Sequence, residues 1–520
     1  MTEYLLILPI FLPLLTAIAC LFAYKSSRVQ AVLCLVGNVA LLAASVALFW
    51  EVNTNGILAV QVGGWEAPFG ITLVADLLGA IMVLLGGVMG LAVAVYSLAD
   101  IDHDRQKFGF FPLYNILLMG VCSAFLTGDL FNLYVCFEVM LIASFVLLAL
   151  GGQLAQIEGA LKYFVLNLIS SNFFLAGVGI VYGKVGTLNM ADLALKLMQQ
   201  PGLGAPDDQA MAINISAMLF LVAFGIKAAI FPFFFWLPAS YHTPPVAVSA
   251  IFAALLTKVG VYALIRSFTL FLNYDPHFIQ VLLLVIAALT MIVGVLGAAA
   301  QFEIRRILSF HIISQIGYMV LGLAIFTPLA LAGAILYIVH NILAKTNLFL
   351  VGGAVQKVRG SGELNHIGGF YKSYPALSLL FFIPAMALAG VPPLSGFWGK
   401  LILVQASWEA GLWSLVAVAL GVGLMTLFSM TKIWGEVFWK PQPESGVPGH
   451  VAGKTNPPVP GLMYVPIVFL TGLIILYGVF AEPLLDIALR SAEQLLEPDA
   501  YIHAVMNSPG TELDRGGAVK

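Results

Sequence analysis

An all-α polytopic membrane protein is the fold class this sequence predicts, and three observations carry it. Hydrophobic residues make up 61% of the 520 and charged residues only 9%, with a mean hydropathy of +1.00, outside the range of a water-soluble domain. The apolar residues gather in runs of ~20, the length a helix needs to cross the hydrocarbon layer. Polar residues, glycines and prolines punctuate these runs.

Taken in order, about fourteen transmembrane helices are expected, near residues 4–24, 29–50, 71–98, 109–127, 130–150, 160–182, 211–236, 244–272, 276–298, 303–324, 328–352, 376–408, 413–438 and 460–482. The first, beginning MTEYLLILPIFLPLL, lacks the basic leader and cleavage site of a signal peptide and reads as a retained helix. The seventh ends in FPFFFWLP, with Pro232 and Pro238. The twelfth is too long for one straight crossing and holds Pro384 and the Pro392–Pro393 pair. Proline interrupts the helical hydrogen-bond ladder, so helices 7 and 12 read as broken. They are five spans apart. Five is odd, so matching helices run in opposite directions, which predicts inverted five-helix repeats made of spans 4–8 and 9–13. The lysines keep the same register: Lys227 in span 7 matches Lys400 in span 12, and Lys258 in span 8 matches Lys432 in span 13.

The expected division is therefore 1–108 for three N-terminal helices, 109–272 and 273–438 for the two repeats, and 439–520 for the last helix and tail. With the N-terminus outside, twelve Lys and Arg residues fall in inner loops, Arg105, Arg306 and Lys454 among them. Six fall on the outer side: Lys184, Lys196, Arg266, Arg490, Arg515 and Lys520. That bias follows the positive-inside rule, and an even span count returns the C-terminus to the outside. Residues 483–497 read as a short amphipathic helix at that face and the rest of the tail as disordered.

Five lysines stand where lysine is costly. Lys227, Lys258, Lys345, Lys400 and Lys432 lie inside or at the edge of apolar spans, and Glu138 is similarly placed in YVCFEVMLIASFVLLAL. A charge at the bilayer centre costs at least ~2.5–3.5 kcal/mol, so such residues usually carry function. All five bases are lysine, which can lose its proton when buried, and none is arginine, which cannot. This points to proton movement. Glu138 and Lys227 are expected to form a pair, with a static ion pair as the plainer account. Lys258, close to mid-span, is the next stop. His311, Gln315 and Tyr318 share one face of span 10, and His340, Asn341 and Lys345 add a second polar group in span 11. Hydrogen bonding between helices is the plainer reading of that stripe. Lys400, just after the break GVPPLSGFWGK, would end the relay. Three residues are weaker candidates: Lys432, which has Glu436 four residues on; His242 in SYHTPP, either at the proton's way in or simply interfacial; and Asp76, which near a membrane face can snorkel to water. Cys20, Cys34, Cys122 and Cys136 show no metal or haem spacing and read as packing residues. No metal, no cofactor and no nucleic-acid partner is expected.

These residues resemble the antiporter-like subunits shared by respiratory complex I, membrane-bound hydrogenases and Mrp-type multisubunit cation/proton antiporters. FNLYVCFEVM around Glu138, FGIKAAIFPFFFWLPASYHTPPVAVSAIFAALLTKVGVY around Lys227 and Lys258, and GVPPLSGFWGK around Lys400 carry the resemblance. It implies fourteen helices, inverted repeats, and a polar chain across the mid-membrane. In that chain Glu138 and Lys227 pair, Lys258, His311, His340 and Lys345 connect, and Lys400 terminates. It also implies partners: other subunits of a hetero-oligomer, H⁺ and Na⁺, and the lipids of a bacterial inner membrane. Length and the lysine at 400 favour the Na⁺/H⁺ antiporter members. A proton-pumping subunit of complex I or a hydrogenase is the alternative, and a stand-alone transporter for an organic solute is the alternative of another class.

Overall fold

The computed structural model describes residues 2–199, 207–272, 276–443 and 457–508; Lys454, Arg515, Lys520 and the far tail lie outside the described residues. Two long helices open the chain, α1 (Thr2–Phe22) and α2 (Ser27–Asn55). A feature absent from the expectation follows. Leu58–Gln61 (β1) and Thr72–Ala75 (β2) pair as an antiparallel hairpin, Leu58 opposite Ala75. The third span therefore starts later than expected, as α3 (Leu77–Asp100), where the Asp76 carboxylate accepts the Gly79 amide and caps the helix.

The first expected repeat comprises α4 (His103–Lys107), α5 (Phe110–Leu126), α6 (Leu130–Ala149), α7 (Leu154–Val185), α8 (Met190–Gln199), α9 (Asp207–Ala228), α10 (Trp236–Ser240), α11 (Val246–Ile251) and α12 (Thr257–Leu270). A π-helical segment, Phe252–Leu256, joins α11 to α12 into one continuous rod. The second comprises α13 (Pro276–Ala300), α14 (Ile304–Ile325), α15 (Pro328–Arg359), α16 (Phe370–Ser373), α17 (Pro375–Ala389), α18 (Ser395–Glu409) and α19 (Trp413–Ile433), which runs into a π segment at Trp434–Trp439. Then come α20 (Gly461–Val479), α21 (Ala481–Leu496) and α22 (Asp499–Met506). Both expected breaks are present. Helix α9 stops at Ala228, before the left-handed Ala229 (φ 60), and α17 stops at Gly390 (φ 92). Proline lies within both non-helical stretches, where a ladder bond would be missing.

Among the described residues, twelve helices are long and apolar enough to cross a membrane. Two expected spans fall short of that length: α5, and the twelfth, which its break divides into α17 and α18 of 15 residues each. Within each expected repeat the packing order is the same. Helix α5 lies on α6 as α13 lies on α14. Helix α7 lies on α9 as α15 lies on α17 and α18. The broken element comes fourth in both sets and the π segment fifth.

Burial sorts the helices. The windows at Val246–Leu270, Ile304–Ile325 and Pro328–Arg359 are 100%, 94% and 94% buried, whereas α1 and α2 are only 33% buried. The helices that carry Lys258, His311, His340 and Lys345 thus lie at the centre, and α1 and α2 lie at the edge, where hydrocarbon can solvate them. At the C-terminus the expected amphipathic helix is present as α21, and the stretch after it, expected to be disordered, carries a further helix, α22. Helix α21 buries Ala488, Ser491, Ala492 and Leu495 against α15, α3 and α12. Helix α22 is ordered against α8 and β1, where the Gln61 amide donates to the Val505 carbonyl at 3.2 Å.

Candidate functional site

Lys227 sits in the last turn of α9, against the break. Its Nζ donates to Ser171 Oγ on α7 at 3.4 Å and lies 4.5 Å from the centroid of the Phe137 ring on α6. A cavity of about 20 Å³ is lined by this lysine with Tyr163, Asn167 and Trp236. One water needs ~10–15 Å³, so the space admits about one. The expected contact with Glu138 is absent: among the described residues no ion pair within 4 Å joins them. Glu138 Oε1 is buried without a hydrogen-bond partner. The adjacent Phe137 takes the face of α6 toward the lysine, and Glu138 acts on Lys227 only through its field.

Lys258 is fully buried and folds back along its own helix, donating to the Ala253 carbonyl at 2.6 Å. That carbonyl lies in the π segment, where the wider turn leaves room for a side chain to reach in; such bulges recur at functional sites. Gly260 then brings α12 onto the end of α9. A Cβ added there would stand 2.5 Å from the Ala228 amide nitrogen. The absence of a side chain at 260 is what lets the Lys258 helix touch the Lys227 break.

The second half holds a denser group. Lys345, fully buried, donates to the Leu308 carbonyl of α14 at 3.3 Å and lies within electrostatic reach of both Lys258 and Lys400. His311 Nε2 pairs with Ser429 Oγ of α19 at 2.9 Å, and His340 Nδ1 pairs with Ser395 Oγ of α18 at 2.8 Å. Each imidazole keeps its other nitrogen buried and unpartnered, as do Gln315 Nε2 and both amide atoms of Asn341. Tyr337 donates to Gln315, and its ring lies 5.2 Å from Tyr318 and 5.4 Å from His340. Lys400 closes the row, 5.2 Å from the Tyr318 ring, with its Nζ donating to Leu388 O at 2.8 Å and Ala389 O at 3.1 Å. Those carbonyls are the ones the break sets free at the C-terminus of α17. Chains of buried polar atoms without protein partners are the ordinary sites of internal water.

Three sequence candidates lie elsewhere. Lys432 does not pair with Glu436, which binds Lys440 at 2.9 Å. It caps the end of α13 instead, donating to Ala299 O at 2.9 Å and Gln301 O at 2.7 Å. Asp76 does not reach water. It is 2% exposed and ion-paired at 2.6 Å with Arg266, itself 4% exposed. Arg266 is therefore a residue of α12 rather than of an outer loop, and it also lies over the rings of Tyr262 and Tyr501. His242 is half-buried in the loop before α11, its Nδ1 donating to Pro238 O at 2.7 Å. Burial pushes this imidazole below its usual value. The carbonyl pulls the other way, and Arg306, Arg305 and Lys162 add to the lowering. Sequence reasoning missed Ser395, Ser429 and Tyr337. Ser395 stands two residues after Pro393 of the Pro–Pro break, a usable signal. Ser429 and Tyr337 lie in apolar runs with no local mark.

Residues 127–426 match the family described as NADH:quinone oxidoreductase/Mrp antiporter, transmembrane. The chain is 46% identical over 504 residues to the D-type subunit of the Na⁺/H⁺ antiporter of Alkalihalophilus pseudofirmus, covering 96% of this chain and 99% of that one. It is 40% identical over 500 residues to the protein of the same name from Bacillus subtilis, with 96% and 99% covered. It also superposes on a chain of the Mrp complex from a Dietzia species with a TM-score of 0.88 at 31% identity, covering 97% and 99%. A chain of an archaeal membrane-bound sulfane sulfur reductase gives 0.87 at 26%, covering 96% and 99%. With more than half its length inside that match and relatives aligned nearly end to end, this chain belongs to the NADH:quinone oxidoreductase/Mrp antiporter transmembrane family.

Proposed function

We propose that this chain is the D-type subunit of an Mrp Na⁺/H⁺ antiporter: a transporter component, not an enzyme, that moves protons within a hetero-oligomer. One observation carries the reading. Lys227, Lys258, Lys345 and Lys400 form a buried row whose direct partners among the described residues are carbonyls, a hydroxyl and aromatic rings, with no carboxylate. A cation held only for structure is usually given a counter-ion, as Arg266 is. In the relay, Glu138 biases Lys227 through its field. Lys258 and Lys345 link the halves, His311 and His340 carry protons with internal water, and Lys400 ends the path. Sodium moves mainly through other subunits, since a row of lysines repels a resting cation.

The same reading has fourteen crossings in a bacterial inner membrane, both termini outside, and inverted repeats at 109–272 and 273–438 between 1–108 and 439–520. Its test uses everted vesicles at matched expression. Lys258→Arg keeps the charge but cannot release a proton, so it should abolish sodium-driven dissipation of a pH gradient, and Glu138→Gln should do so nearly as fully. Near-normal antiport in Lys258→Arg would overturn the relay. Redox subunits copurifying in place of antiporter subunits would overturn the assignment to an antiporter.

A further inference from the structure

A second polar site lies away from the lysine row, at the membrane face where α3 and α15 end and α7 and α14 begin. A cavity of about 280 Å³ opens there between the helix ends. Its wall holds three cations, Arg105, Arg305 and Lys357, against a single carboxylate, Asp100. One oxygen of that carboxylate already accepts the Ala247 amide at 2.9 Å. Asp102, which pairs with Arg105, and Glu303, 3.9 Å from Arg305 Nε, stand outside the lining. The side chain of Arg305 is 9% exposed, and its Nη1 donates to Pro244 O at 2.6 Å. Its Nε is buried with no hydrogen-bond partner. Three amides, Gln153, Gln156 and Gln356, complete the wall, Gln156 donating to the Thr243 carbonyl at 3.4 Å.

A cavity lined by three cations and one carboxylate, even with Arg105 also bonded to Asp102 and the Leu150 carbonyl and Lys357 to the Ala99 carbonyl, fits an oxyanion with several acceptor oxygens. Its place narrows the choice. Leu154 and Ile157, on the first turn of α7 beside the cavity, are 84% and 41% exposed, an apolar flank on which acyl chains can lie. We propose that this cavity binds a phosphate group, supplied by the headgroup of an anionic phospholipid. The lipid would tie the ends of α3, α7, α14 and α15 together beside the His242 loop. The inference rests on the membrane-spanning reading of the chain but not on the proton relay.

The test uses the purified complex, stripped of lipid by detergent exchange and offered phosphatidylglycerol or phosphatidylcholine in mixed micelles. Bound lipid is counted by mass spectrometry and the melting temperature recorded. Phosphatidylglycerol should be retained several-fold over phosphatidylcholine. Lys357→Gln should lower its retention about fivefold, the effect of one basic residue on an anionic lipid. Lys357 is solvent-exposed, so this variant folds on any reading; Arg105→Gln added to it should remove the preference. Inorganic phosphate raising the melting temperature of the unsubstituted complex, with no effect of phosphatidylglycerol, would keep the phosphate site and reject the lipid source. Equal retention of both lipids with no response to phosphate, or full retention in the double variant, would overturn the proposal.

Discussion

Lysines that look alike as residues divide by what their ammonium groups hold. Lys432 and Lys400 both bind two carbonyls at the end of a helix, the geometry that offsets the negative pole of a helix C-terminus. They differ in surroundings. Lys400 is 8% exposed and joins the group around Tyr318 and His340, whereas Lys432 is half-buried over the Phe302 ring at 4.0 Å. Two capping bonds and the Phe302 ring account for the contacts of Lys432, and none of them joins the lysine row. Lys432→Gln should therefore cost about 0.3–1 kcal/mol, read as a small drop in the melting temperature of the complex, and leave antiport close to normal. Lys400→Gln should abolish antiport with the complex still assembled. Loss of antiport in Lys432→Gln at unchanged stability would place Lys432 in the relay after all.

At the level of elements, the interrupted helices work only because small residues let their neighbours close on them. The α9 break meets α12 at Gly260, and α18 meets α17 and α15 at Gly396, where an added Cβ would fall 2.0 Å from Ala387 O and 2.6 Å from His340 Nε2. Backbone atoms cannot swing aside, so one methyl group must push the helices apart. Gly260→Ala should destabilise by ~1–3 kcal/mol, the usual cost of overpacking, and cut antiport by more than the loss of protein explains. Gly179→Ala, facing open space on α7, is the matched control and should change neither. A harmless Gly260→Ala in a melting and transport assay would mean that the contact between α9 and α12 is looser than its geometry.

For the whole molecule, the buried Asp76–Arg266 pair is a long-range tie outside the relay that joins α12 to the N-terminus of α3 under Tyr501 of the C-terminal helix. Removing one partner of a buried pair strands the other charge, at ~3–5 kcal/mol; replacing both with apolar residues is often neutral. Asp76→Ala alone should sharply lower the yield of assembled complex, and Asp76→Leu with Arg266→Met should restore most of it. Equal yields of single and double variants would show that the pair is not structural. The inverted arrangement has its own test. Cysteines placed beside Pro232 and beside Pro393 should be labelled from opposite sides by impermeant thiol reagents, and labelling from one shared side would rule the inversion out.

Helix positions, both breaks and the addresses of the lysines are legible in the sequence, because run length, proline and a charge among apolar neighbours are properties of short segments. Each of the fourteen expected segments has its helix or interrupted pair, and the seventh and twelfth are the interrupted ones. Partnerships are not legible. Sequence reasoning pairs Glu138 with Lys227 as the nearest opposite charges, yet Phe137 holds the side of α6 that faces the lysine. Arg266 falls within the expected span 244–272 yet counts with the outer-side cations, and its partners, Asp76, 190 residues away, and the Tyr262 and Tyr501 rings, show it to be a buried residue of that helix. Helix α21 reads as interfacial because it is amphipathic, and the helices its buried face meets, α15, α3 and α12, are not written in that pattern. An apolar stripe carries no record of whether hydrocarbon or another helix will cover it, since both remove it equally well from water. That choice, and with it the partner of every buried charge, belongs to the tertiary structure.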